Sequence, residues 1–409
     1  MSSREKELTS LSAARRALAE GENFTAYDLA EAVSDGPEGP SIGKVHVMAL
    51  ALARSGATNR ARELADSLPD GDDTEVMGLK SRLWKDIARS ETDPGKRKKA
   101  YAAAADVSEK IFLAKRNWYN GVNAASCRYL AGERAKARKL VADMVLPLCE
   151  RERQRDLWLV ATLGECHLLL GNYTKASEFY RETMTIAEKS HRYGDVASTI
   201  RQLKTLATEI GPDAFPVLKN IHPPCVAVFS GHMIDAPGRQ EPRFPPSAEK
   251  SVRDKIREIV RKNRVAFGYA SCACGGDILF LEAVLAAGGR LVIVPPLPLE
   301  TTIRNSVAFA PGNWESRLNA IFENPATRVL DPECDETGEH DELAYDFCNR
   351  YLFGMAKLKA QELSFPLRGV CVWNGKKSGL QGGTDSAVEM WKTAGFPVDV
   401  VDPTEGIEP

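Results

Sequence analysis

The rhythm of hydrophobic and polar positions changes once along the chain. From residue 1 to about 215, apolar residues recur at helical spacing in runs rich in Ala, Leu, Glu, Lys and Arg, with no strand-like alternation. From Cys225 onward, short β-rich runs alternate with amphipathic stretches. The β-rich runs are Cys225–Phe229, Arg264–Tyr269, Arg290–Val294, Thr327–Leu330, Gly369–Trp373 and Pro397–Val401. Helices are predicted near 247–262, 277–287, 314–323, 342–362 and 384–394. Strand–helix alternation in one block predicts a mostly parallel sheet covered on both faces. Right-handed crossovers then give a doubly wound, Rossmann-like fold. Gly211-Pro-Asp-Ala-Phe-Pro and His222-Pro-Pro read as the connection between the two patterns. The expected fold class is therefore α plus α/β. A helical repeat domain covers 1–215, a linker 216–224 and a ligand-binding α/β domain 225–409.

The helical half carries a repeat. Glycines fall at Gly21, Gly56, Gly95, Gly132 and Gly171, spaced by 35, 39, 37 and 39 residues. An alanine lies five positions after each, at Ala26, Ala61, Ala100, Ala137 and Ala176. The glycine is expected to end one helix, where a positive φ is needed. The alanine is expected in the next helix, where a small side chain lets two helices approach. A period of this size predicts helix-turn-helix units stacked in a solenoid. The copy Leu163-Gly-Glu-Cys-His-Leu-Leu-Leu-Gly-Asn-Tyr-Thr-Lys-Ala-Ser-Glu-Phe-Tyr180 resembles the tetratricopeptide repeat (TPR) family at its Leu-Gly, Gly-x-Tyr, Ala and aromatic positions. The stretch Trp118-Tyr-Asn-Gly-Val-Asn-Ala-Ala125 is similar to the repeat region beside the TRAF-binding segment of stress-activated kinase kinase kinases. The resemblance implies a solenoid that binds a protein partner or self-associates.

The chemistry is expected in the second half. Two glycine-rich turns each follow a strand-like run and open a helix-like run. One is Val265-Ala-Phe-Gly-Tyr-Ala-Ser-Cys-Ala-Cys-Gly-Gly-Asp277 and the other runs from Gly369-Val-Cys-Val-Trp-Asn-Gly375 to Gly382-Gly-Thr384. A strand that restarts as a helix after glycines presents backbone N–H groups at the helix's positive end, which suits an anion. Ligands of such sheets bind beyond the carboxyl ends of the strands, near the switch in strand order. The loop Ser230-Gly-His-Met-Ile-Asp-Ala-Pro-Gly-Arg239 lies at the same edge. The candidate ligand-binding residues are Ser230, Gly231, His232, Arg239, Gly275, Gly276, Asp277, Asn374, Gly382, Gly383 and Thr384. Each also has a plainer reading. The glycines could serve tight turns alone, Asp277 and Thr384 could be helix N-caps, His232 could be structural, and Arg239, Lys376 and Lys377 could be solvated. Trp373 and Trp391 read as core.

Together the three loops resemble the SLOG superfamily, over roughly residues 225–403. That group includes the LOG phosphoribohydrolases, the DNA-processing protein A family and sensor domains of bacterial defence systems. The carrying motifs are Ala273-x-Gly275-x-Asp277, Ala286-Ala-Gly-Gly-Arg-Leu-Val-Ile-Val and Gly382-Gly-Thr384 with Gly395-Phe-Pro-Val-Asp-Val-Val. The resemblance implies a pocket for a nucleotide or nucleotide-derived ligand. Two positions depart from it. The LOG-type glutamate, three residues after the threonine, is Ala387 here, and Cys274 replaces the arginine of the DNA-processing motif. Glu389 lies about 200° around a helix from position 387 and does not replace the missing carboxylate. A hydrolase of this type needs a carboxylate for its oxocarbenium-like transition state or its water. Asp277, Glu282 and Glu389 are the candidates.

Composition narrows the classes. A net charge of −2 supplies no field to attract nucleic acid. No apolar run reaches the length of a membrane span, and the N-terminus lacks a signal-peptide pattern. The nine cysteines read as reduced thiols of a cytoplasmic protein. Cys272 and Cys274 lack a second ligand pair, so no metal is expected and small residues in a tight turn account for them. The leading expectation is a cytoplasmic sensor, of the kind used in bacterial antiviral defence. Its α/β domain would bind a nucleotide-type molecule and its solenoid a protein. The rivals are a nucleotide N-glycosidase or phosphoribohydrolase, and a repeat scaffold with an inert α/β domain.

Overall fold

The structure is a computed structural model. It describes residues 3–37, 39–68, 73–330, 341–377, 379 and 382–405. The chain divides into two compact units, Met1–His222 with Glu362–Ser364, and Pro223–Gln361 with Phe365–Pro409.

The first unit is helical. Its elements are α1 (Ser3–Glu20), α2 (Asn23–Glu31), α3 (Ile42–Arg54), α4 (Thr58–Asp66), α5 (Thr74–Ser90), α6 (Pro94–Lys115), α7 (Trp118–Leu130) and α8 (Arg134–Leu140). A π-helical turn, Val141–Val145, leads into α9 (Leu146–Arg151), and α10 (Leu157–Leu169), α11 (Tyr173–Lys189), α12 (Tyr193–Ile210) and α13 (Phe215–Asn220) follow. The pairs α1/α2, α3/α4, α5/α6, α7/α8 and α10/α11 are antiparallel hairpins that stack on one another.

The glycine–alanine pattern maps onto these hairpins. Gly21, Gly56, Gly132 and Gly171 take positive φ angles of 85–96° at the hairpin turns. Ala26, Ala61, Ala100, Ala137 and Ala176 are all buried where the second helix meets the first. Gly95 departs from the expectation. It lies inside the first turn of α6, and the α5–α6 turn is made by other chemistry. The Asp93 side chain caps the helix by accepting from the Lys96 amide at 2.7 Å, and Pro94 fixes the first helical φ. Most of the segment read as a linker is α13, whose Val217 is buried and which packs on α11 and α12.

Helices α1, α3, α5, α7, α10 and α12 form the inner layer, and α12 packs back on α1. Gly194 permits that closure. A β-carbon there would lie 2.1 Å from the Leu18 carbonyl oxygen. Arg54 locks it, donating to the Leu18 carbonyl at 2.5 Å and to Asp195 at 2.9 Å.

The second unit is a six-stranded, all-parallel sheet in the order β4-β3-β2-β1-β5-β6. The strands are β1 (Cys225–Gly231), β2 (Val265–Ala270), β3 (Arg290–Ile293), β4 (Thr327–Val329), β5 (Leu367–Val372) and β6 (Val398–Val401). The crossing helices are α14 (Glu249–Lys262), α15 (Gly276–Ala286), α16 (Leu299–Ser306), α17 (Trp314–Phe322), α18 (Asp341–Leu363) and α19 (Thr384–Thr393). Every expected strand is present within a residue or two of its predicted ends. Helix α16 was not expected. β2 is buried along its whole length and β1 through Phe229, which is why both read as continuous apolar runs. The strand order reverses at β1, whose neighbours are β2 and β5. The doubly wound sheet therefore has its switch point where β1 and β5 end.

Candidate functional site

Backbone chemistry forces three loops together at that switch point. The His232 amide donates to the Val372 carbonyl at 2.9 Å, which ties the end of β1 to the end of β5. The Gly276 amide donates to the His232 carbonyl at 3.1 Å, which brings in the turn after β2. Gly275 makes this possible. Its φ is +87°, and a β-carbon there would lie 2.6 Å from the Ile234 nitrogen. Phe229 and Phe280 stack beneath the turn at 4.7 Å and fix its floor.

The loops surround a cavity of about 370 Å³. Ser230, Gly231, His232, Asp277, Gly382, Gly383 and Thr384 line it, as do Arg243, Ser271, Ser306, Glu342, Tyr345, Asn349 and Asp385. Gly275, Gly276 and Asn374 border it, Asn374 through a 3.2 Å hydrogen bond between its Oδ1 and the His232 Nε2. Arg239 stays outside the lining and pairs with the buried Asp235 at 3.3 Å. The cation in the wall is Arg243, which sequence reasoning missed. Asp235 sets its position by accepting the Arg243 and Phe244 amides at 2.8 and 2.9 Å.

Asp277 is the central group. It is buried, and its Oδ2 accepts the Ala273 amide at 3.1 Å. Burial pushes its carboxyl pKa up to about 7, only partly offset by that hydrogen bond. It is not the N-cap of α15, a position held by Gly275, and Gly383 rather than Thr384 occupies that position for α19. Burial also lowers the His232 pKa, against the Asn374 bond that raises it, which favours the neutral ring.

The two glycine turns differ in what they offer. At α15 the amides of Gly276, Ile278 and Leu279 already donate to the carbonyls of His232, Ala273 and Gly275. That turn is a packed corner rather than the open anion cradle expected of it. At α19 the first intrahelical bond runs from the Ala387 amide to the Gly383 carbonyl, so the preceding amides lie outside the helical ladder. Gly382 is pinned against α18. Asn349 Nδ2 donates to its carbonyl at 2.9 Å, and a β-carbon would meet Tyr345 Cβ and the Asp346 nitrogen at 2.7 Å. Gly382→Ala, at a φ of +80°, is expected to cost roughly 1–3 kcal/mol and to displace the α19 end. A denaturant melt of the variant checks this.

Two carboxylate candidates lie elsewhere. Glu282 forms a bidentate pair with Arg317, both bonds 2.7 Å, and Arg317 also reaches Glu249 at 2.9 Å and stacks on Trp314. That network braces α14, α15 and α17. Glu389 is solvent-exposed, 4.0 Å from Lys377, whereas Ala387 is buried, as the helical geometry required. Cys272 and Cys274 are buried, and burial pushes both thiols up to about 12, which leaves them unreactive. Trp391 is core, and Gly369 is a glycine because a β-carbon there would lie 2.3 Å from its ring. Trp373 is only half-buried and holds its loop by donating to the Lys376 carbonyl at 2.9 Å.

Among known proteins, residues 25–128 match the family described as Tetratricopeptide Repeats-Sensor. No curated protein matches the chain. Of solved structures, LpoA of Haemophilus influenzae is similar at 12% identity and a TM-score of 0.25, over 98% of this chain and 66% of LpoA. At that score the likeness carries no argument about fold or function. The matched segment runs from α2 to α7. Repeats of this class serve protein interaction or sensing. Among the described residues no helix is long and apolar enough to cross a membrane.

Proposed function

We propose that the chain is a sensor whose α/β unit binds a nucleotide-derived small molecule and whose repeat unit relays the bound state to a protein partner. The observation that supports this most is the placing of buried and half-buried polar groups around one cavity at the switch point of a parallel sheet. Asp277, His232 with Asn374, and Thr384 converge there from three loops. Among the described residues the wall holds Glu342 and Asp385 as carboxylates and Arg243 as its one arginine or lysine. This balance favours the sugar and base of a nucleotide over a long phosphate chain, because carboxylates accept from hydroxyls and exocyclic amines. The SLOG resemblance of the three loops agrees with a nucleotide, and a role in antiviral defence is the corresponding biological setting.

Titration calorimetry of the full chain against nucleosides and nucleoside monophosphates tests this. His232→Ala and Thr384→Val are expected to weaken the bound member by about tenfold each. Absence of binding across the panel, or binding indifferent to both variants, sinks the reading.

One observation favours a second reading. Asp277, with a pKa near 7 beside an open cavity, is suited to proton transfer at neutral pH. If the chain is a nucleotide N-glycosidase, base release should disappear in Asp277→Asn while binding survives.

A further inference from the structure

The repeat unit encloses a larger cavity, of about 510 Å³, on its inner layer. Its wall concentrates positive charge. Helix α5 supplies Arg82, Lys85 and Arg89 on one face, α3 supplies Arg54 and α12 supplies Arg201. Like charges at helical spacing repel one another, and buried charges are costly unless paired.

The available carboxylates do not balance them. Asp86 is shared between Arg82 at 3.4 Å and Arg89 at 2.6 Å. Asp195 is shared between Arg54 at 2.9 Å and Arg192 at 2.8 Å. The Asp156 carboxylate caps α10 by accepting the Leu159 amide at 2.8 Å. Burial raises the Glu165 pKa toward the neutral form, although Ser126 and Gln202 both donate to it. Among the described residues no carboxylate pairs with Lys85 or Arg201. Lys85 donates to Asn123 Oδ1 at 2.7 Å, and Arg201 to the Glu362 carbonyl at 2.6 Å. The Arg89 Nε and the Arg201 Nη2 are buried without a hydrogen-bond partner. Burial, with repulsion from Arg82 and Arg89, pulls the Arg201 pKa down to about 9, and burial lowers those of Lys85 and Arg82.

The same wall carries Trp118, Tyr119 and Trp158, with Tyr119 packed edge-on against Trp158 at 5.6 Å. We infer that the inner face of the repeat unit is itself a binding site for a phosphorylated small molecule bearing a flat ring. Its phosphates would lie among Arg82, Arg89 and Arg201, and its ring against the aromatic side chains. The site is separate from the sheet-edge cavity and does not rest on the reading given to it. A peptide laid along a solenoid needs an open-ended groove. Here α12 returns onto α1, and the cavity has the volume of a small-molecule site.

The test is calorimetry and thermal melting of the full chain with ADP, pyrophosphate and adenosine as probes. ADP should bind more tightly than pyrophosphate, and added salt should weaken both. Arg89→Gln and Arg201→Gln should each weaken ADP by about tenfold or more. Arg89→Gln, which also breaks the Asp86 pair, is read by affinity alone; Arg201→Gln should in addition raise the melting midpoint of the ligand-free chain, because it removes a buried repulsion. A residue with only a structural role would lower it. If Arg201→Gln does not fold, Lys85→Met carries the same two expectations. His232→Ala, in the other cavity, should leave the binding of pyrophosphate unchanged. The inference is overturned if neither ADP nor pyrophosphate binds, or if binding ignores the α5 and α12 variants. It is also overturned if a phosphopeptide competes at the site and ADP does not.

Discussion

Gly194→Ala should unfold the repeat unit or lower its stability by roughly 3–5 kcal/mol, an effect far beyond an ordinary glycine-to-alanine change. In an exposed helix that change is favourable by about 1 kcal/mol, because alanine has the better helix propensity. At Gly194 the added methyl would lie 2.1 Å from the Leu18 carbonyl oxygen and 2.9 Å from both the Gly21 Cα and the Arg54 Nη1. The Leu18 oxygen cannot yield cheaply. It accepts from Arg54 at 2.5 Å, and Arg54 is held by Asp195 on the same helix as Gly194. Moving α12 away from α1 thus separates a buried ion pair, which is more damaging than the steric contact alone. Gly78→Ala is the control. Gly78 also lies within a helix of this unit, but its β-carbon would meet nothing within 4 Å, so that variant should be neutral or slightly stabilised. Urea melts followed by circular dichroism distinguish the two. Equal stability of the two variants would show that α12 does not close on α1.

That closure marks where the sequence stops being legible. The hairpins were readable because each depends on neighbours in the chain: a glycine at the turn and an alanine five residues on. Gly95 misled because Asp93 and Pro94 do the same work by capping, and a spacing rule cannot tell the two apart. Strands β1 and β2 were readable because burial on both faces leaves unbroken apolar runs. Helix α16 was hidden by the prolines before it, Pro295, Pro296 and Pro298, which read as coil. Arg243 was hidden because it lies in an irregular loop and is placed by the side chain of Asp235, eight residues away. The cationic inner cavity was invisible for a deeper reason. Arg54, Arg82, Lys85, Arg89 and Arg201 lie on three separate helices and form no motif in the chain. Only the return of α12 onto α1 gathers them around one space.

Asp277→Asn should stabilise the protein at pH 8 and leave it nearly unchanged near pH 4. The sign follows from the direction of the shift. Burial raises the folded-state carboxyl pKa from 3.8 to about 7, so folding favours the protonated form. The unfolded chain releases that proton at lower pH. The stability tied to the neutral carboxyl is therefore complete below the unfolded value and lost as pH rises through the folded one. Across that window the wild type should lose ~4 kcal/mol at most that the asparagine variant retains. The amide keeps the local geometry, because its oxygen can still accept the Ala273 amide. Denaturant melts at pH 4, 6 and 8 measure the gap between the two proteins. A gap that widens with pH identifies a buried carboxyl held neutral at the sheet edge, ready to donate a hydrogen bond or a proton to whatever enters the cavity. A gap that stays flat would mean that Asp277 is ionised throughout and its charge compensated. The cavity would then act as an acceptor site, and the case for acid–base chemistry there would fall.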